Sequence, residues 1–169
     1  GPPIVSVLCA TYEHVEFIGD ALRGFLGQIT PFPFEVVVRD DASTDGTSEV
    51  VSEYAARFPN IVRPILESSN TYGRVSPMGA LLKNARGEFI ATCEGDDYWI
   101  RSDKLSRQVE KLRSDTSIAV VGHPFLVSRD GFLTRESEHI GGSHHDLRIA
   151  ARFLRRGEAF GLHTSTVMY

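Results

Sequence analysis

The sequence of 169 residues has few cysteines, no long apolar run and no excess of basic residues. Its two cysteines, Cys9 and Cys93, lie inside apolar segments, where a free cysteine is usually a small buried hydrophobic residue. With no secretion signal, this usage predicts a cytoplasmic protein. No apolar stretch approaches the roughly 18 residues needed to cross a bilayer. A net charge of −4 argues against the basic surface that nucleic-acid binding requires.

One local group of basic residues stands apart from this balanced charge: Arg148, Arg152, Arg155 and Arg156. Such a group is compatible with peripheral association at the inner face of the membrane, or with an anionic acceptor. The alternative, which we favour, is an ordinary solvated helix face.

Three apolar runs in the sequence end in polar residues. The first turns polar at Thr11, Tyr12 and Glu13, the second ends at Asp40 and Asp41, and the third is followed by Glu94, Asp96 and Asp97. The carboxyl ends of parallel strands share one edge of an open α/β sheet, so these three segments are expected to form a single crevice. Three carboxylates on one turn repel each other, and this arrangement predicts a bound cation.

Hydrophobic periodicity predicts a single α/β domain over residues 1–169, with a mainly parallel central sheet and helices on both faces. Strands are expected at 4–9, 34–39, 61–66, from 89 to the acidic segment, at 118–127 and at 163–169. Helices are expected at 14–28, from Asp45 to before Pro59, at 78–85, at 103–113 and near 145–156. Residues Arg129-Asp130-Gly131 indicate a hairpin, and 136–143 a polar loop.

Two metal sites other than the one at the acidic segment are less favoured. Asp41, Ser43, Asp45 and Gly46 have the spacing of a calcium loop, but Ser52 stands where a bidentate Glu is needed and the segment follows a strand, so a calcium loop is rejected. A set of histidines with one acid could suggest zinc, although a solvated polar loop explains it better; the set is His139, His144, His145 and Asp146. Asp40 and Asp41 could also serve only as turn and helix-capping acids.

Together, these segments resemble a known family. VSVLCATYEH, FEVVVRDDASTDGT and FIATCEGDDYW, followed by Lys104-Leu105, are similar to the nucleotide-sugar half of family 2 glycosyltransferases with the GT-A (Rossmann-like) fold. The resemblance covers about residues 4–112 and extends more weakly to Tyr169 through HTSTVMY.

The resemblance implies roles for particular residues. The loop that cradles the nucleotide base and ribose falls on Ala10, Thr11, Tyr12 and Glu13, of which Ala10 and Glu13 depart from the family's Pro-Thr-Tyr-Asn. Asp41 is implied to accept a hydrogen bond from uracil. Asp96 is the implied direct ligand of Mn²⁺ or Mg²⁺, and Glu94, where the family has Asp, lies nearer the ribose or a metal-bound water. Asp97 is expected to support the metal site or to contact the sugar.

Two further residues are assigned to the acceptor side or to packing. Trp99 is expected to pack in the core, with acceptor contact as the alternative, and His163 is expected to be a core histidine with the same alternative. The implied catalytic base is an Asp or Glu beyond Tyr169, so we expect a donor-binding part at about 4–112 and a partial acceptor-side part at about 113–169. The acids nearest to that position are Asp130, Glu136, Glu138 and Asp146.

The resulting expectation is a metal-dependent, inverting glycosyltransferase. It would transfer a sugar from a uridine-linked donor to a glycan, lipid-linked or protein acceptor. One alternative is a non-catalytic module that binds a nucleotide sugar. The other is a sugar-phosphate nucleotidyltransferase, which needs a glycine-rich basic loop after its first strand, and CATYEHVEF contains none. The oligomeric state stays open.

Overall fold

Strands and helices alternate four times along the first 114 residues of the computed structural model, which describes residues 1–123, 125–129, 132–134 and 164–169. The elements are β1 (Val5–Thr11), α1 (Ile18–Leu26), β2 (Phe34–Asp40), α2 (Thr47–Arg57), β3 (Val62–Leu66), α3 (Pro77–Asn84), β4 (Phe89–Thr92) and α4 (Lys104–Ser114). The predicted alternation is confirmed. Helix α1 is shorter than predicted, because a turn occupies residues 14–17 and Gly27 ends the helix.

The four strands form one parallel sheet in the order β3-β2-β1-β4. The chain moves outward from β1 through β2 to β3 and then returns to the other side of β1. The strand order therefore reverses between β1 and β4. In open α/β sheets, ligands bind in the crevice beyond the carboxyl ends of the strands at such a reversal. The fold thus points to the loops after β1 and β4.

Alternating residues of the central strands supply two apolar layers. Val7 of β1 and Val36 of β2 belong to the larger core, together with side chains from α1, α2 and α4 such as Phe25, Val51 and Leu105. On the opposite face, Leu8 and Val37 pack with Leu81 of α3. Helices therefore cover both faces, as the apolar β-strand sequences predict. Cys9 and Cys93 are both free and buried.

The outer edge of β4 is covered by the last residues of the chain. The amide of Ile90 donates to the carbonyl oxygen of Tyr169 at 2.6 Å, and the amide of Tyr169 donates back at 2.9 Å. Met168 forms antiparallel bridges with Ala91 and Val121. The predicted strand at 163–169 is wrong in part, because Thr164–Thr166 form a 3-10 helix and only the following residues pair with β4.

The predicted strand at 118–127 is also wrong. Among the described residues 118–123 and 125–126, only Val121 forms a bridge, to Met168, since the edge of β4 that this apolar segment would join is already paired with the chain end. Two short strands follow instead, β5 (Val127–Arg129) and β6 (Phe132–Thr134), which pair antiparallel and confirm the predicted hairpin.

Several predicted features lie outside the described residues: the helix near 145–156, the polar loop at 136–143, the arginine group and the histidine set. Within the ranges that are described, no helix is both long and apolar enough to cross a membrane.

Candidate functional site

Three loops meet at the carboxyl edge of the sheet. They follow Thr11 of β1, Asp40 of β2 and Thr92 of β4, which are the last residues of adjacent or next-adjacent strands. The sequence predicted this convergence from the polar residues that end each apolar run. We call the loop at residues 93–99 the acidic loop.

The acidic loop presents three carboxylates to one small volume. One oxygen each from Glu94, Asp96 and Asp97 lies within 4.8 Å of the others. Glu94 and Asp96 are exposed, and Asp97 is half-buried. Carboxylate oxygens at this separation are the ligands that Mg²⁺ and Mn²⁺ prefer, and a divalent ion would relieve their mutual repulsion. The residues present therefore fit a divalent metal ion.

The acidic loop is joined directly to the end of β1. The amide of Gly95 donates to the carbonyl oxygen of Ala10 at 2.9 Å, continuing the pairing of β1 and β4 past their last regular residues. Ala10 thus contributes its backbone here. Thr11 is buried beneath the same contact. This bond fixes the three carboxylates of the acidic loop relative to the loop that carries Tyr12, whose side chain is 45% exposed.

His14 is a site residue that the sequence did not single out. Its Nδ1 lies 3.2 Å from Thr11 Oγ1, and its Nε2 lies 3.9 Å from Asp96 Oδ2. Its backbone amide donates to Thr47 Oγ1 at 2.9 Å, which ties it to the start of α2. A lone histidine in a polar turn carries no signal of this role, because the contacts come from two other loops.

The loops after β1 and β2 are tied together by side chains. Glu13 Oε1 accepts from the Thr44 amide at 2.7 Å, and the Glu13 amide donates to Ser43 Oγ at 2.8 Å. Asp45 Oδ2 accepts from the Val15 amide at 3.0 Å. Glu13 has a φ of 54°, a left-handed conformation in which Asn is favoured over Glu. The carboxylate of Glu13 is thus directed at the neighbouring loop.

Asp40 and Asp41 have different roles despite being adjacent. Asp40 is fully buried. Its Oδ1 accepts from Ser43 Oγ at 2.5 Å, while its Oδ2 accepts from the Ser43 amide at 3.1 Å and from Ser48 Oγ at 2.5 Å. Asp40 therefore organises the turn and the first residues of α2. The contacts of Asp40 thus agree with the alternative raised from the sequence, that this acid serves the turn and the start of the helix.

Asp41 is held by a buried polar cluster. Its Oδ1 accepts from Arg39 Nη2 at 3.0 Å and from Thr71 Oγ1 at 2.7 Å, and both of its oxygens lie 3.1 Å from the Thr71 amide. Burial raises the pKa of Asp41, but the hydrogen bonds from Thr71 and the charge of Arg39 outweigh it and hold the pKa below its ordinary value. Asp41 is therefore a carboxylate at neutral pH.

Arg39 and Thr71 could not be found from the sequence pattern. Arg39 is among the largest fully buried side chains, and its guanidinium also contacts Glu67 Oε1 at 2.9 Å and Thr71 Oγ1 at 2.7 Å. In the sequence, Arg39 looks like a polar interruption of a strand, and these two partners lie 28 and 32 residues further along the chain. The cluster fixes the loop around Thr71 over the end of β2.

Trp99 is the last residue of the acidic loop, and its side chain is buried. It is 6% exposed, its ring meets that of Phe25 edge-on at a centroid distance of 4.8 Å, and its Nε1 donates to the carbonyl oxygen of Ser165 at 2.8 Å. The side chain thus packs in the core and anchors the chain end. His163, the other residue considered for the acceptor side, lies outside the described residues, as do Asp130, Glu136, Glu138 and Asp146.

Comparison with known proteins finds relatives that are similar to this chain in sequence. An uncharacterised protein of Mycobacterium tuberculosis is 39% identical over 166 residues, which are 98% of this chain and 46% of that protein. The poly(ribitol-phosphate) beta-N-acetylglucosaminyltransferase TarS of Staphylococcus aureus is 38% identical over 94 residues, 55% of this chain and 16% of TarS. The chain thus spans less than half the length of these relatives.

Solved structures of glycosyltransferases are also similar to this chain. A crystal structure of residues 1–349 of S. aureus TarS with UDP has a TM-score of 0.58 and 32% identity, covering 69% of this chain and 33% of that chain. The mannosyltransferase PcManGT of Pyrobaculum calidifontis, solved with GDP-Man and Mn²⁺, has a TM-score of 0.62 and 29% identity, covering 72% and 35%. Both neighbours have the GT-A fold, which confirms the predicted fold class.

The family model described as Glycosyl transferase family 2 matches residues 6–169, nearly the entire chain. This match also decides against the sugar-phosphate nucleotidyltransferase considered from the sequence. The chain belongs to glycosyl transferase family 2.

Proposed function

We propose that this chain forms the donor site of a metal-dependent, inverting glycosyltransferase that uses a uridine-linked sugar. The observation that carries the proposal is the bond from Gly95 to Ala10, which brings the acidic loop against the loop after β1. This contact supports a metal site for the diphosphate beside a loop for the nucleoside, because ligands of open α/β sheets bind where the strand order reverses. The solved relatives support this, since TarS was crystallised with UDP and with UDP-GlcNAc.

Asp96 and Glu94 are the residues that would hold Mn²⁺ or Mg²⁺, with Asp97 beside them. A divalent ion bound there would neutralise charge that develops on the diphosphate as the sugar bond breaks. The ion in the PcManGT structure is Mn²⁺, which supports this choice of metal. Asp96 has a neighbour from another loop, His14, whose Nε2 lies 3.9 Å from Asp96 Oδ2.

Asp41 Oδ2 is the atom proposed to read the base. A carboxylate oxygen can accept two hydrogen bonds, and Oδ2 receives one, from the Thr71 amide, whereas Oδ1 receives three. Oδ2 therefore has capacity for the N–H of a uracil ring. The exposed ring of Tyr12, on the neighbouring loop, is proposed to lie against the base or ribose.

Transfer itself requires a base for the acceptor hydroxyl, which attacks the anomeric carbon opposite the leaving diphosphate. We propose that this base is an Asp or Glu beyond Tyr169, and that the acceptor is a glycan, a lipid-linked molecule or a protein. The acids Asp130, Glu136, Glu138 and Asp146 are the alternatives within this sequence. A cytoplasmic location, at the inner face of the membrane, stays a prediction.

Calorimetric titration of the chain with UDP, CDP, GDP and ADP, each with and without Mn²⁺, tests the proposal. UDP should bind more tightly than the other three, and Mn²⁺ should strengthen its binding. A preference for GDP would move the donor to the class bound by PcManGT. Binding of no nucleotide diphosphate under any of these conditions would contradict the proposed donor site.

A further inference from the structure

A cavity of about 780 Å³ opens beside the acidic loop. Asp96 and Asp97 lie at its wall, and further lining residues come from the first half of α4 and from residues 121–123, 125, 126 and 128. Its size is within the range of pockets that take small ligands. The cavity therefore adjoins the proposed metal site without being part of the nucleotide-binding loops after β1 and β2.

Lys104, the first residue of α4, lines this cavity and is 5% exposed. Its Nζ donates to Gln108 Oε1 at 2.6 Å and lies 4.1 Å from the centre of the Trp99 ring. No carboxylate of the described part of the chain forms an ion pair with it. A lysine ammonium carries three N–H donors, so these two contacts leave one donor for a ligand.

Such a position is unfavourable for a cation unless something compensates it. Burial of an ammonium group has a high desolvation cost, and the start of a helix carries the positive end of the helix dipole. The burial lowers the pKa of Lys104 to about 7. A negatively charged ligand in the cavity would recover part of this cost, whereas a neutral one would recover less.

Two arginines near Lys104 add positive charge to the same wall, Arg101 just before α4 and Arg107 within it. Arg101 Nη2 contacts Asp103 Oδ2 at 2.6 Å, and Arg107 Nη1 lies 3.7 Å from the same oxygen. Both arginines line the cavity. Two guanidinium groups thus share one carboxylate, which leaves an excess of positive charge on the wall that already contains Lys104.

We propose that this cavity binds an acceptor saccharide carrying negative charge, as a carboxylate or a phosphodiester, with Lys104 as its buried anchor. The inference rests on the proposed function, since it assigns the acceptor class to the same site. Asp96 and Asp97 of the proposed metal site line one part of the cavity, and Lys104 and Arg107 of α4 line another. The charged group of the acceptor therefore lies on the α4 side, with its hydroxyl toward the acidic loop.

The test is calorimetric titration of the chain with three oligosaccharides of equal length, with and without UDP and Mg²⁺. One is an oligogalacturonate, one an oligo(ribitol phosphate) and one a neutral maltooligosaccharide. At least one of the two anionic ligands should bind, the neutral one should bind at least about tenfold more weakly, and salt should weaken the anionic binding. The two anionic arms distinguish carboxylate from phosphodiester.

Lys104→Met and Lys111→Met form a matched pair on the same helix, since Lys111 is exposed and lies outside this cavity. Lys104→Met should weaken the anionic ligand by about tenfold or more, the loss of one charge-assisted hydrogen bond, and Lys111→Met should not. Arg107→Met, an exposed position on the cavity wall, should give a smaller loss. Retained UDP affinity in each variant shows that the fold is intact.

Equal binding of neutral and anionic ligands, or no saccharide binding, would overturn the inference. The same holds if Lys104→Met, with UDP affinity retained, binds the anionic ligand as tightly as Lys111→Met does. If Lys104→Met loses UDP affinity, Arg107→Met decides, and an unchanged affinity there would overturn the inference. Failure of the wild-type chain to bind UDP would contradict the proposed function instead, and the titrations without nucleotide would still test the cavity.

Discussion

A Cβ atom placed on Gly95 would lie 2.4 Å from Thr11 Oγ1 and 2.7 Å from Thr11 Cβ. The acidic loop therefore reaches the end of β1 only because residue 95 has no side chain. Gly95 does not have a positive φ, so close approach, and not backbone conformation, is what requires glycine there.

Gly95→Ala should destabilise the fold by roughly 1–3 kcal/mol, the usual cost of overpacking a closely fitted site. It should also weaken metal-dependent nucleotide binding, because the loop must move away from Thr11. Gly79→Ala in α3 is the control, since a Cβ there would make ordinary contacts with Ser76, the residue that precedes the helix. Urea denaturation of both variants measures the difference, and equal stability of the two would contradict the close approach.

Asp41→Ala should weaken UDP by about 1.5–3 kcal/mol, the value of a charge-assisted hydrogen bond. CDP should lose much less, because the corresponding ring nitrogen of cytosine carries no proton to donate. Calorimetric titration of the wild type and the variant with both nucleotides gives the comparison. Equal losses for UDP and CDP would point to damage of the Arg39 cluster and not to base recognition.

Thr71→Val removes one hydroxyl donor from Asp41 while keeping the side-chain shape. Because the pKa of Asp41 is lowered in the fold, its contribution to stability is present above its unfolded pKa and is lost as the pH falls through the folded value. The variant should be about 1 kcal/mol less stable at neutral pH, with a smaller difference in acid. Carboxyl NMR titration should show a raised Asp41 pKa.

The control for this substitution is Thr44→Val on the neighbouring loop. Thr44 Oγ1 bonds to the exposed Glu13, so its loss should leave the Asp41 titration unchanged. An unchanged Asp41 pKa in Thr71→Val as well would contradict the role given to the Thr71 hydroxyl.

Lys104 should give stability an alkaline dependence. Burial lowers its pKa from 10.5 to about 7, so between these values the unfolded chain binds one more proton than the folded chain. The free energy of unfolding therefore rises with pH in that window. Relative to Lys104→Met, the wild type should gain about 3 kcal/mol from pH 7 to about pH 10. A pH-independent difference would mean that Lys104 titrates normally.

The parts of the fold that sequence analysis predicted correctly depend on local patterns. Apolar runs ending in acids located β1, β2 and β4, and helical spacing located α1 to α4. The predicted strand at 118–127 was wrong although this segment is apolar. Tyr169 pairs with Ile90 at the outer edge of β4, so the segment cannot join the sheet there. Such competition between distant segments leaves no trace in a local pattern.

The residues of the candidate site also fall into two groups, those that a local sequence pattern indicates and those that depend on distant contacts. The acids of the acidic loop and Asp41 were assigned to the candidate site because charged residues follow buried strands, and the structure places them at the same edge of the sheet. His14, Arg39 and Lys104 were not assigned, since each depends on partners from other elements. Arg39 contacts Glu67 and Thr71, which are distant in the sequence, and Lys104 lies against the ring of Trp99 in a cavity that Val121 and Ser165 also line.

The central claim is that the acidic loop holds a metal ion for a nucleotide diphosphate, and Asp96→Asn tests it most directly. The substitution removes one charge and keeps the shape. The control is Asp20→Asn, an equal charge change at an exposed position of α1. Calorimetry of UDP binding with and without Mn²⁺ should show that Mn²⁺ strengthens binding to the wild type and to Asp20→Asn but not to Asp96→Asn. Undiminished Mn²⁺ enhancement in Asp96→Asn, with the fold intact, would contradict the account.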